Sequence, residues 1–360
     1  MRNHKITAYQ NTSMLILSSF IFQILVLPVL ITKTNGPTAW ISIVIAMFIG
    51  ILFIKPICKI QEKRHDKTLL DICNDLMPTL IVKIIGTFYI VFFIVASSIL
   101  LKDFSEQVKI FMLPRTPNNL VILIILLTSS YAAHKGIVTI AQVAHLTVII
   151  TLIPLLLVTI FSTSNATLSN IFPIWPLDFV GILKGVPFAF AGFFGFYILL
   201  FSNPYVRKYK VNNKQNKTFF ILSSAIYILC FFLVMFKFGY GEARRLVFPF
   251  NQILKFLNIP GSFIENLEAL GMSLSTVCAF VCLSIILYFT NLSLQKTLKT
   301  EEDSYFIFIQ TPIIYILACI LPGINIVLKY IHIPIYIFSA INILVILSLI
   351  VLDKKRSMAK

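Results

Sequence analysis

The chain has 360 residues, 58 % of them hydrophobic and 12 % charged, with a mean hydropathy of +0.92. That composition excludes an ordinary soluble domain and makes the lipid bilayer the solvent for most of the chain. The net charge of +16 does not point to nucleic acid, because the basic residues sit in short loops between apolar runs instead of on one soluble face.

A spanning helix needs about 20 mostly apolar residues. Ten such runs, at 8–31, 38–54, 80–101, 118–133, 138–161, 179–201, 219–238, 272–292, 305–321 and 333–352, are expected to be transmembrane helices. The first is too long for a signal-peptide core and lacks a small-residue cleavage site before Pro28, so it is expected to remain as a helix. Its middle, "SSFIFQILVLP", places Ser18, Ser19 and Gln23 inside the apolar run. After the second run, "KPICKIQEKRHDK" is a basic loop that suits topology and lipid-headgroup contact. The third run spaces Tyr89, Phe93 and Ser97 by four, along one helical face. "RTPNNLVI" makes Thr116 the expected N-cap of the fourth helix, with Pro117 at its first position. His145 lies within the fifth run, where a neutral imidazole bonded to a neighbouring helix is the commoner outcome for an intramembrane ionisable residue.

The sixth run contains "FAFAGFFGFYILLFSNPYV", with Gly192 and Gly195 three apart, Pro187 before them and Pro204 after. In lipid a helix can unwind only where neighbouring protein or a water-filled cavity satisfies the freed N–H and C=O groups. Broken helices of this kind build substrate sites in many transporters. A small-residue packing face is the competing explanation. Farther along, "PGSFIENLEAL" sets Ser262 three residues before Glu265, a capping box for a short helix in a long outer loop. Glu268, on the same face, is available to pair with Arg244, Arg245 or a partner protein.

With ten spans, one side collects 20 Lys and Arg and the other 9, Lys184 being left inside the sixth run. The positive-inside rule then puts both termini in the cytoplasm. Cys230, Cys278, Cys282 and Cys319 fall in spans, while Cys58 and Cys73 flank a cytoplasmic loop, so neither disulfides nor a metal site is expected. The five histidines are scattered, and HExxH, GxSxG and phosphate-loop patterns are missing. No enzyme and no cofactor is read.

The first and sixth runs are five apart. In a single transmembrane domain of two inverted five-helix repeats, here about 8–161 and 179–352, they are corresponding elements, and paired irregularities mark a substrate site at the repeat interface.

The segments "ITAYQNTSMLILSSFIFQILVLP", "AWISIVIAMFIG", "DFSEQVKIFMLPRTPNNLVI", "YAAHKGIVTIA", "FAGFFGFYILLFSNPY" and "IPGSFIENLEAL" resemble, in order, those of the GerAB-type spore germination B-subunit family. That family sits within the amino acid–polyamine–organocation superfamily. The resemblance covers nearly the whole chain, and "LPRTP" and "IENLEAL" are its most specific parts. It implies an all-α, LeuT-like 5+5 membrane fold with broken first and sixth helices. It further implies residence in the spore inner membrane and sensing of small nutrients, often amino acids, together with A- and C-type receptor subunits. The sequence departs from the family near the break: Ile21 to Gln23 replaces a usual glycine, Tyr197 a frequent acidic residue, Val138 and Gln142 charged positions, and Asn266 a frequent Arg. These departures favour an uncharged pocket read by shape, aromatic faces and backbone groups.

Ser18, Ser19 and Gln23 are the expected polar contacts from the first helix, and Phe190, Gly192, Phe193, Gly195 and Tyr197 the broken-helix wall. Tyr89, Phe93 and Ser97, with Ser284 of the eighth run, are expected to face the same cavity. A nutrient held there would favour one of two packings of the repeats and bias a partner subunit. A secondary transporter of amino acids or cations, and a scaffold with a collapsed pocket, are the two alternatives.

Overall fold

A computed structural model describes residues 5–25, 27–64, 67–163, 178–207, 209–255, 267–300 and 305–358. Lipid leaves a backbone no partner but itself, so apolar runs close into helices. Apart from one isolated bridge between Ile6 and Val206, the regular structure among these residues is helical.

In chain order the long elements are α1 (Ala8–Leu25) with the short α2 (Leu27–Asn35) after it, α3 (Ala39–Glu62), α5 (Thr79–Phe111), α6 (Asn118–Lys135) and α7 (Ile137–Thr163). There follow the pair α8 (Phe179–Gly192) and α9 (Gly195–Ser202), then α10 (Tyr209–Ala243), α12 (Leu267–Leu298), α13 (Tyr305–Ile320) and α15 (His332–Met358). Helix therefore covers all ten expected runs. Three short helices were not expected: α4 (Leu69–Leu76), α11 (Pro249–Lys255) and α14 (Ile324–Tyr330).

Length and apolarity single out six membrane-crossing stretches among the described residues, or up to eight if each of two bent pairs is one span. The bent pairs are α8–α9, at 49°, and α13–α14, at 98°. The 18-residue helices α1 and α6 are not among the six. Both carry many polar residues, such as Gln10, Asn11 and Gln23 in one and Asn118, Asn119 and His134 in the other. The chain is an all-helical integral membrane protein. Its lipid face is a surface of exposed apolar side chains, among them Phe48, Leu52, Leu80, Ile84, Phe179 and Leu183, a coverage that water would penalise.

Inside, α12 packs along α5, α1 is surrounded by α7, α9, α10 and α12, and α8 lies against α2, α3 and α15. His145 of α7 reaches α1, its Nδ1 lying 3.0 Å from Ser13 Oγ. Two local expectations shift. The α6 cap is Pro117, with no side-chain capping bond, so the helix begins one residue later than expected from Thr116. The basic loop after α3 is engaged by protein: Lys63 and Arg64 meet Asp353 of α15 at 3.0 and 2.9 Å, and Lys67 meets Asp75 of α4 at 2.6 Å. Thr68 and Asp71 form a reciprocal capping box that starts α4, the helix that carries Asp75.

Candidate functional site

The break between α8 and α9 is where the sequence placed it. Phe193 (φ −87°, ψ 49°) interrupts the helical path, and α9 restarts at Gly195. Two backbone groups freed by the interruption are met by α1. Gly195 N–H donates to Ser19 Oγ at 2.8 Å, and Gln23 Nε2 donates to the Gly192 carbonyl at 3.1 Å. Ser19 and Gln23 are four apart and so face the break together. Gly195 is required by space: a Cβ there would lie 2.3 Å from the Leu15 carbonyl oxygen. That same oxygen accepts from Ser18 and Ser19, at 3.1 and 3.0 Å.

A cavity of about 100 Å³ lies beside the break. Phe22 of α1 and Leu30 of α2 form one wall, Ala191, Phe194 and Tyr197 line the break itself, and α14 and α15 close the far side with Ile331, Phe338 and Ser339. The fourth wall is α5, through Phe92, Ala96, Ile99 and Asp103, whose spacing of four, three and four is one helical stripe. Aromatic rings meet around the space. Phe22 and Phe194 are 4.7 Å apart by centroid, Phe92 and Tyr197 4.9 Å, and Phe92 and Phe338 5.1 Å. Tyr197 of α9 and Ser339 of α15 are the hydroxyl-bearing side chains that line the cavity.

Of the residues expected at the site, Tyr197 lines the cavity directly. Ser19, Gln23, Gly192 and Gly195 are brought together as the bonded junction behind it. Ser18 Oγ is turned to the Met14 and Leu15 carbonyls of its own helix. Phe190 packs edge-on to Phe196 at 5.2 Å, and Phe193 faces Phe220 and Tyr227. On α5, the stripe of Tyr89, Phe93 and Ser97 is one residue out of phase with the cavity stripe. Tyr89 donates to Asn342 Oδ1 at 2.8 Å, Phe93 packs on Phe201, and Ser97 bonds the Phe93 carbonyl. Ser284 borders a separate hollow of about 20 Å³ between α6, α7 and α12. Glu265 and the expected cap at Ser262 lie outside the described residues, and Glu268 falls in the first turn of α12.

Asp103 is the residue that sequence reasoning missed. It is 4 % exposed, yet the expected third span stopped at Leu101 and left it to a loop. To the expected shape, aromatic faces and backbone groups the structure adds one carboxyl group, that of Asp103. The signal was available, because Phe104, Val108, Ile110 and Phe111 continue the helical apolar pattern beyond the first charged pair.

The spore germination protein family profile matches residues 5–327. Spore germination protein A2 of Bacillus subtilis (strain 168) is 26 % identical over 312 residues, which cover 86 % of each chain. Spore germination protein YndE of the same strain is 23 % identical over 347 residues, 95 % of each, and spore germination protein B2 is 24 % identical over 280 residues, 78 % of this chain and 76 % of that one. With the matched region running from the start of α1 into α14, and so including the α8–α9 break and the α5 wall of the cavity, the chain belongs to the spore germination protein family.

Proposed function

We propose that this protein is the membrane subunit of a spore nutrient receptor. It binds a small nutrient, an amino acid or a similar molecule, in the cavity beside the α8–α9 break and signals germination through A- and C-type subunits. The observation that carries the proposal is the junction itself, in which α1 satisfies the interrupted backbone of α8–α9 directly behind a cavity lined by Tyr197. Such a break costs free energy unless its groups are met, and proteins retain it where it shapes a site. Phe190, Gly192, Phe193 and Gly195 form the break, and Ser19 and Gln23 hold it. Glu265, in the expected outer loop, and Glu268, in the first turn of α12, are assigned to contact with partners. Two inverted repeats, about 8–161 and 179–352, with ten spans and both termini cytoplasmic in the spore inner membrane, complete the reading.

Nutrient binding acts by favouring one of two packings, and only by its difference in affinity between them. The ion pairs of Lys63, Arg64 and Asp353 join α3 to α15 at the end expected to be cytoplasmic, a contact that an alternating-access cycle would have to part. A secondary transporter therefore remains the second reading. Uptake of labelled nutrient into vesicles holding the protein alone separates the two: accumulation supports transport, whereas a response only with A- and C-type subunits supports the receptor. The receptor reading is tested by germination of spores carrying Tyr197→Ala, with subunit levels checked by immunoblot. Lost or altered nutrient preference at normal levels is expected, and an unchanged response would remove the site.

A further inference from the structure

We infer that the cavity beside the break takes an organic ammonium ion with a small apolar body, and that Asp103 holds its charged head. The inference rests on the cavity being the ligand site.

Asp103 lines the cavity with its side chain almost wholly buried, and its Oδ1 has no hydrogen-bond partner. The neighbouring base is already committed. Lys102 Nζ lies 3.5 Å from Glu106 Oε1, the oxygen that also accepts from Asn118 Nδ2 at 3.1 Å. Among the described residues no cation is paired with Asp103. The unpaired Asp103 oxygen is an acceptor for the N–H groups of an ammonium.

The rest of the cavity defines the body of the ligand. No Lys, Arg or His lines it, so no cationic side chain there balances a free carboxylate on a ligand. Its walls are aliphatic side chains and aromatic rings, which suit an apolar chain and whose faces attract a cation. An apolar cavity of about 150 Å³ holds benzene. The present volume, about 100 Å³, matches an aliphatic body of roughly four to five carbons. A buried carboxylate with no counter-charge is unfavourable, and a bound ammonium supplies the missing partner.

The test uses the full chain in lipid nanodiscs, with the thermal unfolding midpoint titrated by isobutylamine, isobutanol and isobutyrate. Isobutylamine alone is expected to raise the midpoint, and Ala191→Trp, which fills the cavity, is expected to abolish the rise. Asp103→Asn keeps the side-chain volume and should move the half-maximal isobutylamine concentration upward by about 30-fold or more. The ammonium assignment is overturned if isobutanol acts as well as the amine, or if Asp103→Asn titrates like the unmodified chain, while Ala191→Trp still abolishes the effect. If the rise survives Ala191→Trp, or if no probe raises the midpoint, the cavity reading fails and takes the assignment with it. The comparison of amine with alcohol on the unmodified chain decides the question even if Asp103→Asn does not fold.

Discussion

Gly195 N–H donates to Ser19 Oγ at 2.8 Å, joining α9 to α1 across 176 positions of sequence. The bond explains how a helix can stop and restart inside a membrane: α1 supplies the partner that lipid cannot.

Gly195→Ala should therefore destabilise the protein, although alanine is the better helix former by about 0.5–1 kcal/mol. The new Cβ would lie 2.3 Å from a backbone oxygen of α1, which has no rotamer to escape into. Overpacking of this kind costs about 1–3 kcal/mol, so the clash outweighs the propensity gain. Ser19→Ala leaves the Gly195 N–H buried and unpaired, for about 1 kcal/mol. Unfolding of the purified protein in detergent checks both; an unchanged midpoint for Gly195→Ala would mean that α1 and α9 are not in contact.

The ion pairs at the α3 and α15 ends should differ in weight. Arg64 and Asp353 are mostly buried, with side-chain exposures of 15 % and 11 %, whereas Lys67 is 47 % exposed. Asp353→Asn removes the nearer carboxylate from the mostly buried Arg64, leaving it only Asp75 at 3.8 Å, and is expected to cost about 1–3 kcal/mol. Lys67→Ala should cost at most about 1 kcal/mol. Equal effects in the same unfolding assay would contradict this arrangement.

Cys73 on α4 is wholly buried against the bundle, and desolvation pushes its thiol up to about 12. Only the thiolate reacts, so its maleimide labelling at about pH 7.5 should be negligible in the folded protein and appear in SDS. Because burial raises this pKa, moderate alkalinity should add little labelling until the pH approaches that value. Rapid labelling of native protein would show that α4 does not pack on α5, α12 and α15.

What the sequence disclosed followed from physical rules with short reach. Runs of apolar residues announced the helices, and Gly192 with Gly195 announced the break, since two glycines flanked by prolines weaken a helix locally. The partners of the break, Ser19 and Gln23, were legible because polar residues in an apolar run need a reason. The cavity stripe on α5 was not: periodicity of four fits Tyr89, Phe93 and Ser97 as well as Phe92, Ala96 and Asp103, and only packing against α9 and α15 chooses between them. Asp103 was lost because a charged pair, Lys102 and Asp103, looks like the end of a span. Glu106 neutralises Lys102 along the helix face, a compensation that the spacing of four already offered once the helix is continued past Leu101. The helices α11 and α14, seven residues each, are too short to give a periodic signal.

The most direct test of the nutrient site is germination of spores carrying Ala191→Trp, measured against amino acids, nucleosides and sugars with every receptor subunit quantified. Ala191 lines the cavity at the break and makes no side-chain hydrogen bond, so the indole fills the space without unpairing a polar group. Loss of the nutrient response at normal subunit levels is the expected result. An unchanged response at those levels would contradict a nutrient site beside the α8–α9 break.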